Sequence, residues 1–240
     1  MELDALTLLM LLVAVPAAFM LSSAAGLGGS LILVPSLAAL LGTKEGVALA
    51  ALLLAANNIA KVGAYRRTLP IRAAAMIALA VMAGAAAGAG LMVRAPEAWV
   101  TGVVIAAFFA TFVADFLPVG PARKSWAGAL ALTSGATSGF SGMSGPLKGA
   151  SIRSLGLQRQ YFVGAAAIVS LAGDATKAAV FTHAGLLDQS ELLLAAGLIP
   201  VMIASTLVGH RINQRAGERC YAVLFWAVMV GYTGRLVLAA

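Results

Sequence analysis

Charge is scarce in this sequence. Of 240 residues only 10% are Asp, Glu, Lys or Arg, and nine acidic residues face sixteen basic ones. A water-soluble domain carries charge on about a quarter of its residues, so that class is excluded. Cysteine is nearly missing. Cys220 stands alone, which rules out an intrachain disulfide. With only His183 and His210 beside it, there is no ligand cluster for a metal centre or a haem. No Walker A motif occurs either, so neither a primary pump nor a redox enzyme is indicated, and no cofactor is implied. The alternation that marks a membrane β-barrel is absent. The opening Met1-Glu2-Leu3-Asp4 is acidic and lacks the positive start of a signal peptide.

What is present is apolar surface. Hydrophobic residues make up 61% of the chain and its mean hydropathy is +0.97. Runs such as 73–93 and 191–209 match the ~20 residues needed to cross a bilayer. These features define an integral helical membrane protein, with the lipid bilayer as its first partner. The net charge of +7 and pI near 10.1 do not point to nucleic acid. The basic residues sit in short loops between apolar runs, as cytoplasmic loops require.

The chain reads as two similar halves, 1–118 and 119–240. In the first, apolar segments cover 3–25, 31–41, 46–64, 73–93 and 98–117. A loop at 118–125, with two prolines, divides the chain. The second half offers 126–138, 147–157, 160–182, 186–209 and 220–238. Pro35 matches Pro146, Asn58 matches Asp174, Lys61 matches Lys177 and Gly90 matches Gly209, at separations of 111 to 119 residues. Arg66, Arg67 and Arg72 mark one cytoplasmic loop, and Arg211, Arg215 and Arg219 another. The segment 183–191 has no Lys or Arg and reads as external. The arms 126–138 and 147–157 are too short to span, so they read as a re-entrant hairpin. Three full helices then separate the two hairpins, and an odd number inverts the second repeat. The expected fold is all-α: two inverted repeats, each a broken or re-entrant helical hairpin plus three transmembrane helices, with both termini outside. The first arm, 3–25, is itself long enough to span. Oligomeric state is left open by the sequence.

Chemistry is expected at the two breaks. The first contains Gly26, Gly28, Gly29 and Ser30; the second contains Ser138, Gly139, Ser141, Gly142, Ser144 and Gly145. Irregular backbone at membrane depth is tolerated where it lines a polar cavity. Helix N-termini after each break would favour an anion, and serine hydroxyls add donors without charge. The bland alternative is that these glycines serve close helix packing. Asn57, Asn58 and Lys61 in one helix correspond to Asp174 and Lys177 in the other, and ionisable groups inside a span are functional by default. Lys61, one turn before Tyr65 and Arg66, can equally snorkel to the cytoplasmic interface. A proton carried by Asp174 is the candidate coupling ion; a satisfied Asp174–Lys177 pair is the structural alternative.

The Gly/Ser break with Pro35, the helix carrying Asn58 and Lys61, and the Tyr65-Arg66-Arg67 loop resemble the sulfite exporter TauE/SafE family. Ser138-Gly139-Phe140-Ser141-Gly142 reinforces the resemblance, which covers nearly the whole chain. The family's first-half run often has three consecutive glycines; here it reads Gly28-Gly29-Ser30. The resemblance implies transport of sulfite, thiosulfate, sulfonates or related small organic anions across a bacterial inner membrane. Two other classes compete. Gly139-Phe140-Ser141-Gly142 fits the GxSG pattern of rhomboid-like intramembrane serine proteases, although a nucleophilic serine needs a base within reach. A passive anion channel or a membrane assembly subunit would also fit the composition.

Overall fold

The computed structural model describes residues 5–25, 29–116, 124–143 and 145–213. Among them every regular element is helical: α1 (Ala5–Ala25), α2 (Ser30–Leu41), α3 (Thr43–Ala64), α4 (Ile71–Arg94), α5 (Glu97–Phe116), α6 (Ala127–Ser141), α7 (Gly145–Arg153), α8 (Arg159–His183) and α9 (Gln189–Asn213). Helices α3, α4, α8 and α9 each contain a stretch long and apolar enough to cross a membrane. The expected span at 220–238 lies outside the described residues. Apolar side chains face outward as well as inward: Leu79, Leu91, Leu193 and Leu207 are all exposed, as they are in a protein solvated by lipid.

The helices sort into two packed regions. One gathers α1, α2, α3, α5, α9 and the C-terminal end of α8, around Leu33, Leu49, Phe108 and Phe181. The other gathers the N-terminal half of α4 with α6, α7 and the N-terminal half of α8, around Ile77, Ala131, Ile152 and Val169. α8 runs antiparallel to α3 and belongs to both regions, so its middle lies on their boundary.

The hairpin expected from arm length is formed. α6 starts beside Ala74 and Ile77 of α4, and α7 brings Ile152 back to the same cluster. Its arms of 15 and 9 residues are about 22 and 14 Å long at 1.5 Å per residue, against a hydrocarbon core of about 30 Å. α6 reaches this depth by lying parallel to α4 at very close range. A methyl built on Gly84 would land on the Leu132 carbonyl, and one on Gly88 on the Ala136 carbonyl. Reciprocally, Gly135 and Gly139 abut the carbonyls of Val81 and Ala85. Two four-residue glycine spacings thus interlock.

Charge separates along the bundle. Exposed Arg66, Arg67, Arg72 and Arg153 share one end, where Gly164 of α8 packs against the Thr68 carbonyl. Tyr65, Trp126 and Tyr161 lie exposed near that end, and Trp99 near the other, as interfacial aromatic belts do. Acidic groups gather at the opposite end, alongside Lys44 and Arg94. Glu97 accepts the Thr43 N–H at 2.9 Å and so starts α3. Asp188 and Glu191 form a reciprocal capping box before α9. Asp188 accepts the Ser190 N–H at 2.8 Å, and Glu191 accepts the Asp188 N–H at 3.0 Å. Hydrogen bonding with the Glu191 side chain, then with Ser190 and the local backbone, holds the Asp188 carboxyl below the usual carboxylate range.

Candidate functional site

Where the two packed regions meet, α3, α6 and α8 bring charged and polar groups together in the interior. Asp174 and Lys177 are one turn apart on α8, with Nζ 2.7 Å from Oδ1. The other carboxylate oxygen, Oδ2, accepts the Asn58 amide of α3 at 2.7 Å. Lys177 is fully buried. It also donates to the Ser138 hydroxyl at 3.0 Å and to the Gly142 carbonyl at 3.5 Å. That carbonyl belongs to the C-terminal end of α6, the negative pole of its helix dipole. Lys177 therefore ties the hairpin tip to α8, besides pairing Asp174. Lys61, one turn beyond Asn58 on α3, lies within electrostatic reach of Asp174.

A third lysine enters from the hairpin. Lys148 of α7 donates to the Ser170 hydroxyl of α8 at 2.9 Å and is within electrostatic reach of Asp174, Lys177 and Lys61. Lys148, Ser134, Ser138, Ser170 and Asp174 line a small cleft between the hairpin and α8, closed on one side by Val81 of α4. It encloses about 190 Å³ with its open mouth included. Neither Lys148, Ser134 nor Ser170 is among the residues singled out from sequence. Their one signal is that Lys148 is the sole charged residue between 126 and 152.

The residues expected at the site divide into three groups. Asn58, Ser138, Gly142, Asp174 and Lys177 are joined in one network, with Lys61 beside it, and Asn57 is buried one position before Asn58 on α3. Gly139 faces α4 instead and takes part in the close helix crossing. Ser141 turns back on its own hairpin, donating to the Thr137 carbonyl at 2.8 Å and accepting the Met143 N–H at 3.3 Å. Gly29 and Ser30 start α2, and Gly145 starts α7. Gly26, Gly28 and Ser144 lie outside the described residues.

The second break reaches α2 and α3 through Gly142. Its φ of +77° is left-handed, its N–H reaches the Ser138 carbonyl at 2.8 Å, and it ends α6 as a C-terminal glycine does. A Cβ there would lie 2.9 Å from Val34 of α2 and 3.2 Å from Val47 of α3. Gly142→Ala is expected to combine a left-handed backbone penalty of about 1–2 kcal/mol with displacement of α2. Vesicle uptake should fall to background while most of the protein still elutes as a single species. Wild-type uptake in that variant would mean the tip has no part in substrate passage.

Among the described side chains no histidine reaches the serine of the protease pattern. The Ser141 hydroxyl is committed to backbone, and His183 is exposed at the end of α8 nearest the acidic loop.

A membrane protein whose described elements are all helical, with a lysine-bearing polar network beside a short helical hairpin, has the makings of a membrane carrier for anions. The family model for the sulfite exporter TauE/SafE matches residues 10–236. The chain belongs to that family, whose members are membrane transporters of sulfite or related anions. No curated protein and no solved structure matches the chain.

Proposed function

We propose that this protein is a secondary transporter of small anions, of the sulfite, thiosulfate, sulfonate or related organic-anion class, working by alternating access in the bacterial inner membrane. The observation that carries the reading is the interior cluster, among the described residues, of buried Asp174 and Lys177 with half-buried Lys61 and Lys148, shared by α3, the hairpin and α8. Ionisable groups at this depth mark substrate or ion pathways, and an excess of cations suits an anionic substrate. The arginine-rich end is the cytoplasmic one, by the rule that positive loops stay inside.

The inverted-repeat plan is supported by one contact. Asn58 and Asp174, which occupy matching positions of the two halves, bond directly to each other across antiparallel helices. Positions close to a two-fold axis in the membrane plane meet their own counterparts in that way. Rocking of one repeat against the other would carry the site from one face to the other.

Asp174 is the proton site in this reading, and its counterpart Asn58 cannot titrate. Asp174→Asn keeps one amide oxygen to accept from Lys177. Its NH2 takes the place of the oxygen facing Asn58, so the Asn58 amide must turn over. Lys177 retains Ser138 and Gly142, so most of the protein should still fold. Exchange of unlabelled for labelled sulfite in vesicles should continue at a rate near wild type, while acceleration by an imposed pH gradient disappears. A variant still driven by the gradient would show that the proton travels elsewhere.

A further inference from the structure

We infer that the cleft beside Lys148 takes one water molecule, through which Asp174 exchanges its proton with the arginine-rich, cytoplasmic end of the bundle. This rests on the proton-carrying role proposed for Asp174 and adds its route, with Ser170 as the relay hydroxyl at the mouth.

The first observation is size and lining. Within the cleft about 10 Å³ admits the centre of a water-sized sphere, close to the ~10–15 Å³ that one ordered water requires. Such a water also needs about two to four polar partners. Ser134, Ser138, Ser170, Lys148 and Asp174 all border this space.

The second is how the hydroxyls are turned. Ser138 accepts from Lys177 at 3.0 Å, and Ser170 accepts from Lys148 at 2.9 Å. A hydroxyl oxygen that accepts from an ammonium points its own proton elsewhere, and both side chains border the cleft. Asp174 supplies the accepting end. A carboxylate has about four acceptor positions; Lys177 takes one at Oδ1 and Asn58 one at Oδ2. A water in the cleft can thus donate to Asp174 while accepting from a serine.

The third is direction. Ser134 precedes Ser138 by one turn on α6, and Ser170 precedes Asp174 by one turn on α8. Both helices start at the arginine-rich end, so the cleft lies on that side of Asp174. Burial is graded the same way: Asp174, Ser134 and Ser138 are buried, whereas Lys148 and Ser170 at the rim are half-buried. A lysine within a membrane protein belongs beside a wet cavity rather than lipid. Toward the acidic end, α8 instead buries Phe181 in the apolar region of Leu33 and Leu49.

The charged groups around Asp174 are Lys177 on its own helix, Lys61 from α3 and Lys148 from α7. From α4 and α6 come uncharged Val81, Ser134 and Ser138. In the transfer the O–H bond of protonated Asp174 breaks and the water oxygen gains that proton. One of the water's own protons then passes outward by way of Ser170.

The test uses the purified full-length protein in vesicles and reads the ratio of labelled-sulfite flux with an imposed pH gradient to flux without one. Ser170→Val and Ser170→Thr have the same shape and differ only in the hydroxyl. Valine should lower the ratio to that of Asp174→Asn, and threonine should keep it near wild type, whatever either does to the exchange rate itself. An effect of bulk alone would move both alike. The same pair at Ser134 serves if Ser170→Val does not fold. A wild-type ratio in the valine variant overturns the route and leaves the proton role of Asp174 standing; equal loss in valine and threonine does the same. If wild type is not accelerated by the gradient, or Asp174→Asn is accelerated as wild type is, the proton role itself fails and the route falls with it.

Discussion

Lys177→Met is expected to remove most of the folded protein. The ammonium is fully buried and serves three groups at once: the Asp174 carboxylate, the Ser138 hydroxyl and the Gly142 carbonyl. Taking it away strands a carboxylate whose remaining bond is to a neutral amide, and breaking a buried pair in this way costs about 3–5 kcal/mol. A chain with a total stability of about 5–15 kcal/mol has little margin for that loss. The hairpin tip is also released from α8, which Asp174→Asn does not do. The two single variants should therefore be unequal, with Lys177→Met far the worse in thermal midpoint and in yield of monodisperse protein. Adding Asp174→Asn to Lys177→Met should recover part of the deficit, since the stranded charge is gone while the tie to Gly142 is still missing. Equal stability of Lys177→Met and wild type would show that the network does not hold the hairpin.

Gly88→Ala should be nearly as damaging, although it adds a single methyl group. That methyl would fall on the Ala136 carbonyl of α6, with the Phe140 amide nitrogen 3.0 Å away. Both neighbours are backbone and cannot rotate aside, so α4 and α6 must separate along their whole crossing. Overpacking costs about 1–3 kcal/mol when side chains can yield, and a backbone obstacle puts this substitution at or above the top of that range. Gly90→Ala on the same helix is the control. A methyl at Gly90 meets nothing within 4 Å, and alanine is a better helix former by about 1 kcal/mol. Thermal midpoints in one detergent should thus move in opposite directions for two substitutions two residues apart. A folded, stable Gly88→Ala protein would mean that the α4–α6 crossing is looser than described.

Much of this architecture is legible in the sequence because a bilayer imposes simple rules. Hydropathy placed α3, α4, α8 and α9 to within a few residues, and loop charge together with arm length marked 126–157 as a hairpin. The boundaries that differ were set by partners distant in the chain. α3 begins at Thr43 rather than 46 because Glu97, 54 residues away, accepts its first N–H. α6 continues to Ser141 through glycines that read as a break at 138. Gly135 and Gly139 are poor helix formers, but α4 packs directly on them and keeps them helical. The four-residue glycine spacing is visible in the sequence; which helix it meets is not.

The candidate site divides in the same way. Asp174, Lys177, Asn58 and Lys61 stand out because polar groups inside apolar spans are costly. Their matched positions mark Asn58 and Asp174 as counterparts in the two halves; that they meet and bond is visible only in the structure. Ser141 looked equivalent to Ser138 in the same short break. Three residues of helix rotate it by about 300°, and it faces its own turn instead of the network. Lys148 was overlooked because it follows a Gly-Pro step that reads as a connection, and only the folded hairpin carries it to Ser170.

The most direct measurement is counterflow with purified protein in vesicles. Vesicles loaded with unlabelled sulfite are diluted into a trace of labelled sulfite. A carrier with one alternating site should accumulate label transiently above the outside level and then lose it as the gradient decays. Monotonic equilibration without an overshoot would describe a channel, and label entry no faster than in protein-free vesicles would contradict anion transport altogether.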